Sequence, residues 1–179
     1  MQKIKLFKLA GIALFGALSQ AAIAAPDGTI RFYGSIVDAP CTVSPASENI
    51  TVQLGDVSRT LLNGAVGKRS PKPTPFTIDL LACAPTASAA VVSFTGLPDV
   101  NNSEVSAVLD MPGVEDAHGV AVEIADLTGA RIPLGSNAGP YTLAEGDNSL
   151  KFQANYIATL STVTAGPAQA IAQFSITYP

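Results

Sequence analysis

The chain has 179 residues, with 10 basic and 14 acidic side chains, one histidine, no tryptophan, 15 glycines and 13 prolines. An acidic balance without a Lys/Arg stripe argues against nucleic acid as a partner, because neutralising phosphates is the main attraction there. One histidine and two cysteines leave little material for catalysis, and no G-x-S-x-G, H-E-x-x-H, phosphate-binding loop or dinucleotide glycine fingerprint is present.

Residues 1–24 read as an export signal. Lys3, Lys5 and Lys8 form a basic start, Leu9 to Leu18 is an apolar run of signal length, and Ala22-Ile23-Ala24 supplies small residues before the cleavage point. An anchoring helix is the alternative, but the run is short for a bilayer. Cleavage after Ala24 removes three lysines and no acid, leaving 7 basic against 14 acidic residues in a chain of 155. That length fits one domain. No later segment is apolar for long enough to cross a membrane, so no insertion is expected after cleavage.

Ala25 to Val37 alternates. Ile30, Phe32, Gly34 and Ile36 lie on one face, and Thr29, Arg31, Tyr33 and Ser35 on the other. An ordinary first strand would read this way. Glycine weakens a strand interior, however, and on the apolar face it leaves a notch for another surface to fill. Cys41 and Cys83 are the two cysteines of an exported chain, and a disulfide is their natural pairing; two sulfurs alone do not make a zinc site.

Further short alternating runs follow. Ile50, Val52 and Leu54 precede Gly55-Asp56. Phe76, Ile78 and Leu80 precede Cys83, which falls off their parity and so lies beyond the strand end or after a bulge. Leu61 to Ala65 is long enough for one helical turn. Lys68-Arg69-Ser70-Pro71-Lys72-Pro73 reads as a solvated loop. Val91 to Phe94 is an apolar run closed by Gly96 and Pro98. Glu115, Asp116 and His118 fall in a loop that reads as solvated, since near-consecutive residues seldom converge on a cation. No metal site or cofactor is expected. Val120, Val122 and Ile124 alternate, as do Leu150, Phe152, Ala154, Tyr156 and Ala158. From Ala168 onward Ala168, Ala170, Ala172, Phe174, Ile176 and Tyr178 share one face. Many short strands with turn-formers between them predict an all-β antiparallel sandwich.

The order of several segments carries a resemblance. They are Gly28-Thr29-Ile30-Arg31-Phe32-Tyr33-Gly34-Ser35-Ile36-Val37 leading to Cys41, then Val52-Gln53-Leu54-Gly55-Asp56-Val57, Phe76-Thr77-Ile78-Asp79-Leu80, Gly119 to Ile124, Gly146-Asp147-Asn148 and Phe152 to Tyr156. A glycine fourteen residues from the end, Gly166, and a penultimate aromatic, Tyr178, complete them. Together they resemble the subunits of chaperone–usher pili, close to the type 1 fimbrial major subunits. The resemblance implies an incomplete immunoglobulin-like β-sandwich, completed by a donor strand from a neighbouring subunit. It also implies a periplasmic chaperone and an outer-membrane usher as partners, and a fimbrium at the cell surface as destination. Residues 25–37 would be the donor extension, with Ile30, Phe32, Gly34 and Ile36 as its inserted face, and residues 38–179 the pilin domain. Gly166, Ala172, Phe174, Ile176 and Tyr178 would border the groove and the chaperone. The alternative is a single-domain tip or adaptor subunit that binds glycans. A two-domain adhesin is disfavoured because Cys41 comes only seventeen residues after Ala24. No enzyme activity is expected.

Overall fold

Short alternating runs become strands only where a ladder satisfies their main-chain groups. In the computed structural model, which describes residues 28–34, 36 and 39–179, two antiparallel sheets do so. The chain divides into two units, Met1–Val37 and Asp38–Pro179. Residues 28–34 of the first carry no regular structure, and the proposed signal segment lies outside the described residues.

In the second unit β1 (Thr42–Val43), α1 (Pro45–Glu48) and α2 (Arg59–Leu62) precede β2 (Thr74–Cys83), β3 (Ala89–Gly96) and β4 (Ser106–Ala107). The strands β5 (Val120–Asp126), β6 (Asn137–Thr142), β7 (Gly146–Ala158) and β8 (Ala172–Thr177) follow. One sheet has the order β1-β2-β7-β5-β4 and the other β6-β3-β8. No helix among the described residues is long and apolar enough to cross a membrane.

The inward faces close on one another as the period of two requires. Ile78 and Leu80 of β2, Val92 and Phe94 of β3, Ile124 of β5 and Phe152 of β7 are buried in one cluster. Phe152 sits at its centre, edge-on to Phe94 at 5.2 Å and stacked on Phe76 at 5.5 Å between ring centroids. Such pairs each add about 0.5–1.5 kcal/mol beyond the burial itself.

The parity break before Cys83 is a bulge. The β2–β7 register runs from Thr74↔Ala154 to Leu80↔Asn148, then shifts so that Cys83 faces Gly146. Ala82 takes up the extra residue with φ 50°, its N–H donating to Asp147 Oδ1 at 3.0 Å. Cys83 thereby turns inward and is joined to Cys41 by a disulfide.

Four readings need correction. Residues 50–57 have no ladder partner and form no strand, although Ile50, Val52 and Leu54 keep an alternating half-buried face. Alternation specifies which side chains turn inward, but a strand also needs a neighbour. β8 begins at Ala172 rather than Ala168. The preceding segment is held instead by single bonds, from Tyr156 Oη to Ala168 O, from Leu109 N–H to Gln169 O and from Ala117 N–H to Pro167 O. The Lys68–Pro73 segment is not simply solvated. Ser70 is buried with its N–H on Tyr156 O at 2.8 Å, and Arg69 contacts Glu123 of β5 at 2.6 Å. Glu123 is 1% exposed on the outward face of its sheet, where Arg131 also binds it and reaches on to Glu104 at 2.8 Å. Finally, Asp116 is buried. One carboxylate oxygen accepts the Met111 N–H at 2.6 Å and the other has no partner. His118 beside it is exposed, and its main-chain N–H donates to Thr164 Oγ1 at 2.8 Å.

Candidate functional site: an open strand edge beside an apolar groove

β8 pairs with β3 in an unbroken register from Val91↔Thr177 to Gly96↔Ala172 and, among the described residues, has no partner on its other side. The direction of its free groups follows from β3. The carbonyls of Ser88 and Phe94 accept the N–H groups of Leu143 and Gly135, which flank β6. Even-numbered residues of β3 therefore turn their main-chain groups toward β6, and odd-numbered ones toward β8. Val91, Ser93 and Thr95 thus bond Thr177, Ser175 and Gln173. It follows that Ala172, Phe174 and Ile176 point their N–H and C=O groups outward from the sheet. Unpaired edges of this kind are templates for another strand.

Beside this edge lies a groove of about 1400 Å³. Its floor comes from both sheets, with Phe76, Phe94, Val122, Ile124 and Ala154 among its lining, and its far wall is the unpaired segment 48–56. Phe174, Ile176 and Tyr178 are half-buried against the core, whereas Ala172 is exposed. The two walls run in opposite directions. Segment 48–56 runs from beside Ser47, whose Oγ accepts the Asp79 N–H, past Gln53, whose carbonyl accepts from Thr74 Oγ1. It ends at Asp56, which lines a second cavity of about 240 Å³ together with Tyr156, Pro167 and Ala168 ahead of β8. Tyr156 lines both cavities; burial raises its phenol above the ordinary value, and the Asp56 carboxylate adds to that. Burial likewise raises the Tyr178 phenol.

Gly166 borders the smaller cavity, and there only a glycine fits. A Cβ at this position would lie 2.5 Å from the Glu115 carbonyl oxygen and 2.6 Å from the Ala117 nitrogen. Without it the chain crosses loop 115–117 in backbone contact, and the Ala117 N–H reaches Pro167 O at 2.9 Å. That crossing buries Asp116 and sets the height at which the chain runs into β8. The spacing of Gly166 from the chain end marked the residue but not this reason for it.

The sequence-predicted insertion face stands differently. Ile30, Phe32 and Ile36 are exposed, Phe32 by 89%, and a Cβ on Gly34 would meet nothing within 4 Å. An apolar side chain left in water forfeits about 1.5–3 kcal/mol of burial. Among the described residues no group of three His, Cys, Asp or Glu side chains could hold a metal ion.

Residues 30–179 match the family model described as Fimbrial protein. The chain is 37% identical over 179 residues to the probable major fimbrial subunit LpfA of Escherichia coli O157:H7, covering 99% of this chain and 97% of that protein. Among solved structures, a Burkholderia pseudomallei antigen and type I fimbria protein is 40% identical, with TM-score 0.60, covering 84% of this chain and 97% of the other. A subunit from a chaperone–usher pilus is 28% identical with TM-score 0.69, covering 89% and 100%. An open sheet edge, an apolar groove and an exposed alternating segment are properties of a part made to be joined, and the chain belongs to the fimbrial protein family as a structural, major-subunit-like component of chaperone–usher pili, displayed at the cell surface as fimbriae and not an enzyme.

Proposed function

We propose that this subunit polymerises by donor-strand exchange, with residues 25–37 of one copy filling the groove beside β8 of the next. The open β8 edge above the apolar groove carries the reading, because it presents unpaired main-chain groups and uncovered core side chains together. Addition of an extended strand to a sheet edge is a general mode of recognition, and pilin complementation is a standard instance of it. Ile30, Phe32 and Ile36 enter the groove and contribute about 5–9 kcal/mol at roughly 1.5–3 each, before ordering costs. Gly34 takes the position on the inserted face that calls for a small residue. A periplasmic chaperone occupies the same edge first, in contact with Phe174, Ile176 and Tyr178, and an outer-membrane usher exchanges it for the next subunit. Residues 1–24 direct export, and residues 38–179 are the pilin domain. The contact is head-to-tail and does not close, so it propagates as a fibre that serves cell adhesion.

Deleting residues 25–37 from the exported chain tests this reading. The shortened subunit should still be captured by its chaperone but form no homopolymer on electron micrographs. Fibres built from the shortened subunit alone would overturn the proposal.

A further inference from the structure

We infer that Arg31 of the incoming segment pairs with Glu48 on the groove rim, and that this pair sets the speed of seating. The inference rests on the donor-strand reading above. Among the residues lining the large groove the acidic side chains are Glu48 and Asp56, and no Lys, Arg or His is present. The incoming segment 25–37 contains two charged side chains, Asp27 ahead of the apolar face and Arg31 within its span, on the side opposite Ile30, Phe32, Gly34 and Ile36. With the apolar face inward, Arg31 projects over an acidic rim.

The two acids mark opposite ends. Glu48 follows Ser47, which is bonded to Asp79 far along β2, whereas Gln53 is bonded to Thr74 at the start of β2, opposite Ala154. Glu48 therefore lies at the end away from Tyr156 and the entry to β8. Asp56 meets Pro167 and Ala168, where the chain approaches β8. The sheet β6-β3-β8 is antiparallel throughout, and parallel pairing is slightly the weaker, so an added strand runs antiparallel to β8. Arg31, near the leading end of the apolar face, then falls at the Glu48 end. Ile36 falls toward Asp56, about 17 Å further along at roughly 3.3 Å per residue. That distance exceeds the screening length of about 10 Å at 0.1 M salt, so Arg31 discriminates between the two acids. A reversed strand would place Arg31 at Asp56 instead. An exposed pair adds little to final affinity, but it steers encounter.

The test adds a fluorescent peptide of residues 25–37 to the full-length chain and follows its association by anisotropy. At about 50 mM salt the Arg31→Glu peptide should associate three- to fivefold more slowly than the native one, and the gap should close at about 0.5 M. The Glu48→Arg chain should restore the Arg31→Glu peptide and slow the native peptide, whereas Asp56→Arg should do neither. Equal rates for the two peptides, or rescue by Asp56→Arg alone, would overturn the pairing. A Phe32→Ser, Ile36→Ser peptide separates this from the underlying reading. If Arg31→Glu seats normally and the apolar-depleted peptide does not, the pairing fails and strand donation stands. If the native peptide seats no better than the depleted one, both fail.

Discussion

β6 and β8 flank the same central strand, β3, yet only β6 carries devices that stop further pairing. Between Ala138 and Tyr141 the β6 register gains a residue against β3, and that bulge holds Gly139 and Pro140. A bulge bends the strand away and proline offers no N–H, two standard ways of blunting an edge. β8 reads Ala-Gln-Phe-Ser-Ile-Thr, with no proline, glycine or charge, and keeps one register along its length. The other sheet ends in β1 and β4, two residues each, too short to template anything. Among the described residues, pairing capacity is therefore confined to one edge.

The comparison has a baseline in a change that strikes both edges alike. The Cys41–Cys83 link closes a separation of 42 residues, tying the residue before β1 to the end of β2. Replacing both with serine should cost about 4 kcal/mol in the chain-entropy picture. Urea denaturation would report the loss, and hydrogen exchange should rise in β6 and β8 together. Faster exchange confined to one edge would show that the two strands belong to separate cooperative units.

Two glycine substitutions should split the edges. Gly166→Ala drives a Cβ to 2.5 Å from the Glu115 carbonyl oxygen. The expected cost is about 1–3 kcal/mol, with a fall in polymer yield beyond that explained by folding, since the chain enters β8 displaced. Gly139→Ala strains a φ of 108° and puts its Cβ 2.8 Å from the Tyr141 nitrogen. Its stability cost should be similar, about 1–3 kcal/mol. Its polymer yield per folded subunit should be unchanged, because β6 accepts no strand. Yield normalised to folded protein decides between them, and equal yields would dissolve the distinction.

A proline can copy the β6 device onto β8. The N–H of Ala172 points to the open side, so Ala172→Pro removes one free donor and leaves the β3 ladder intact. Seating of a donor peptide should slow about tenfold, the equivalent of roughly 1.4 kcal/mol, with little change in denaturation midpoint. Ser175→Pro is the control. It breaks a bond to Ser93 and should lower the midpoint, because a buried acceptor loses its partner at about 1–3 kcal/mol.

Much of this was legible in the sequence, and the reasons for the exceptions are physical. The parity of Phe76, Ile78 and Leu80 against Cys83 announced a strand end or a bulge because side-chain alternation is strict in a strand, and the β7 ladder makes it a bulge. The C-terminal alternation marked the inward residues of β8 for the same reason. β6 was not legible, because Gly139-Pro140 uses the vocabulary of turns and only the β3 ladder makes it an edge. Residues 50–57 misled in the opposite sense, having strand alternation with no neighbour to complete it. Arg69, Glu123 and Asp116 were misread as solvated or left unremarked because their partners are distant in sequence. A charge looks exposed until the loop that covers it is known. The direction of the free groups on β8 depends on bonds at Ser88 and Phe94, which no local pattern encodes.

The smallest effect is expected from undoing the blunting itself. Pro140→Thr restores an N–H and a β-branched residue to β6, while the extra residue between Ala138 and Tyr141 remains. If the bulge and the proline share the work, lateral association measured by light scattering should rise no more than about twofold, and no second fibre form should appear. If proline alone guards the edge, the variant should aggregate side by side and fibres should thicken. If scattering does not change at all, the bulge suffices, and the contrast with β8 reduces to one irregular register against one regular one. In each case the β8 edge should bind donor peptide as before, because β3 turns alternate residues to its two neighbours and what happens on the β6 side leaves Val91, Ser93 and Thr95 bonded to β8.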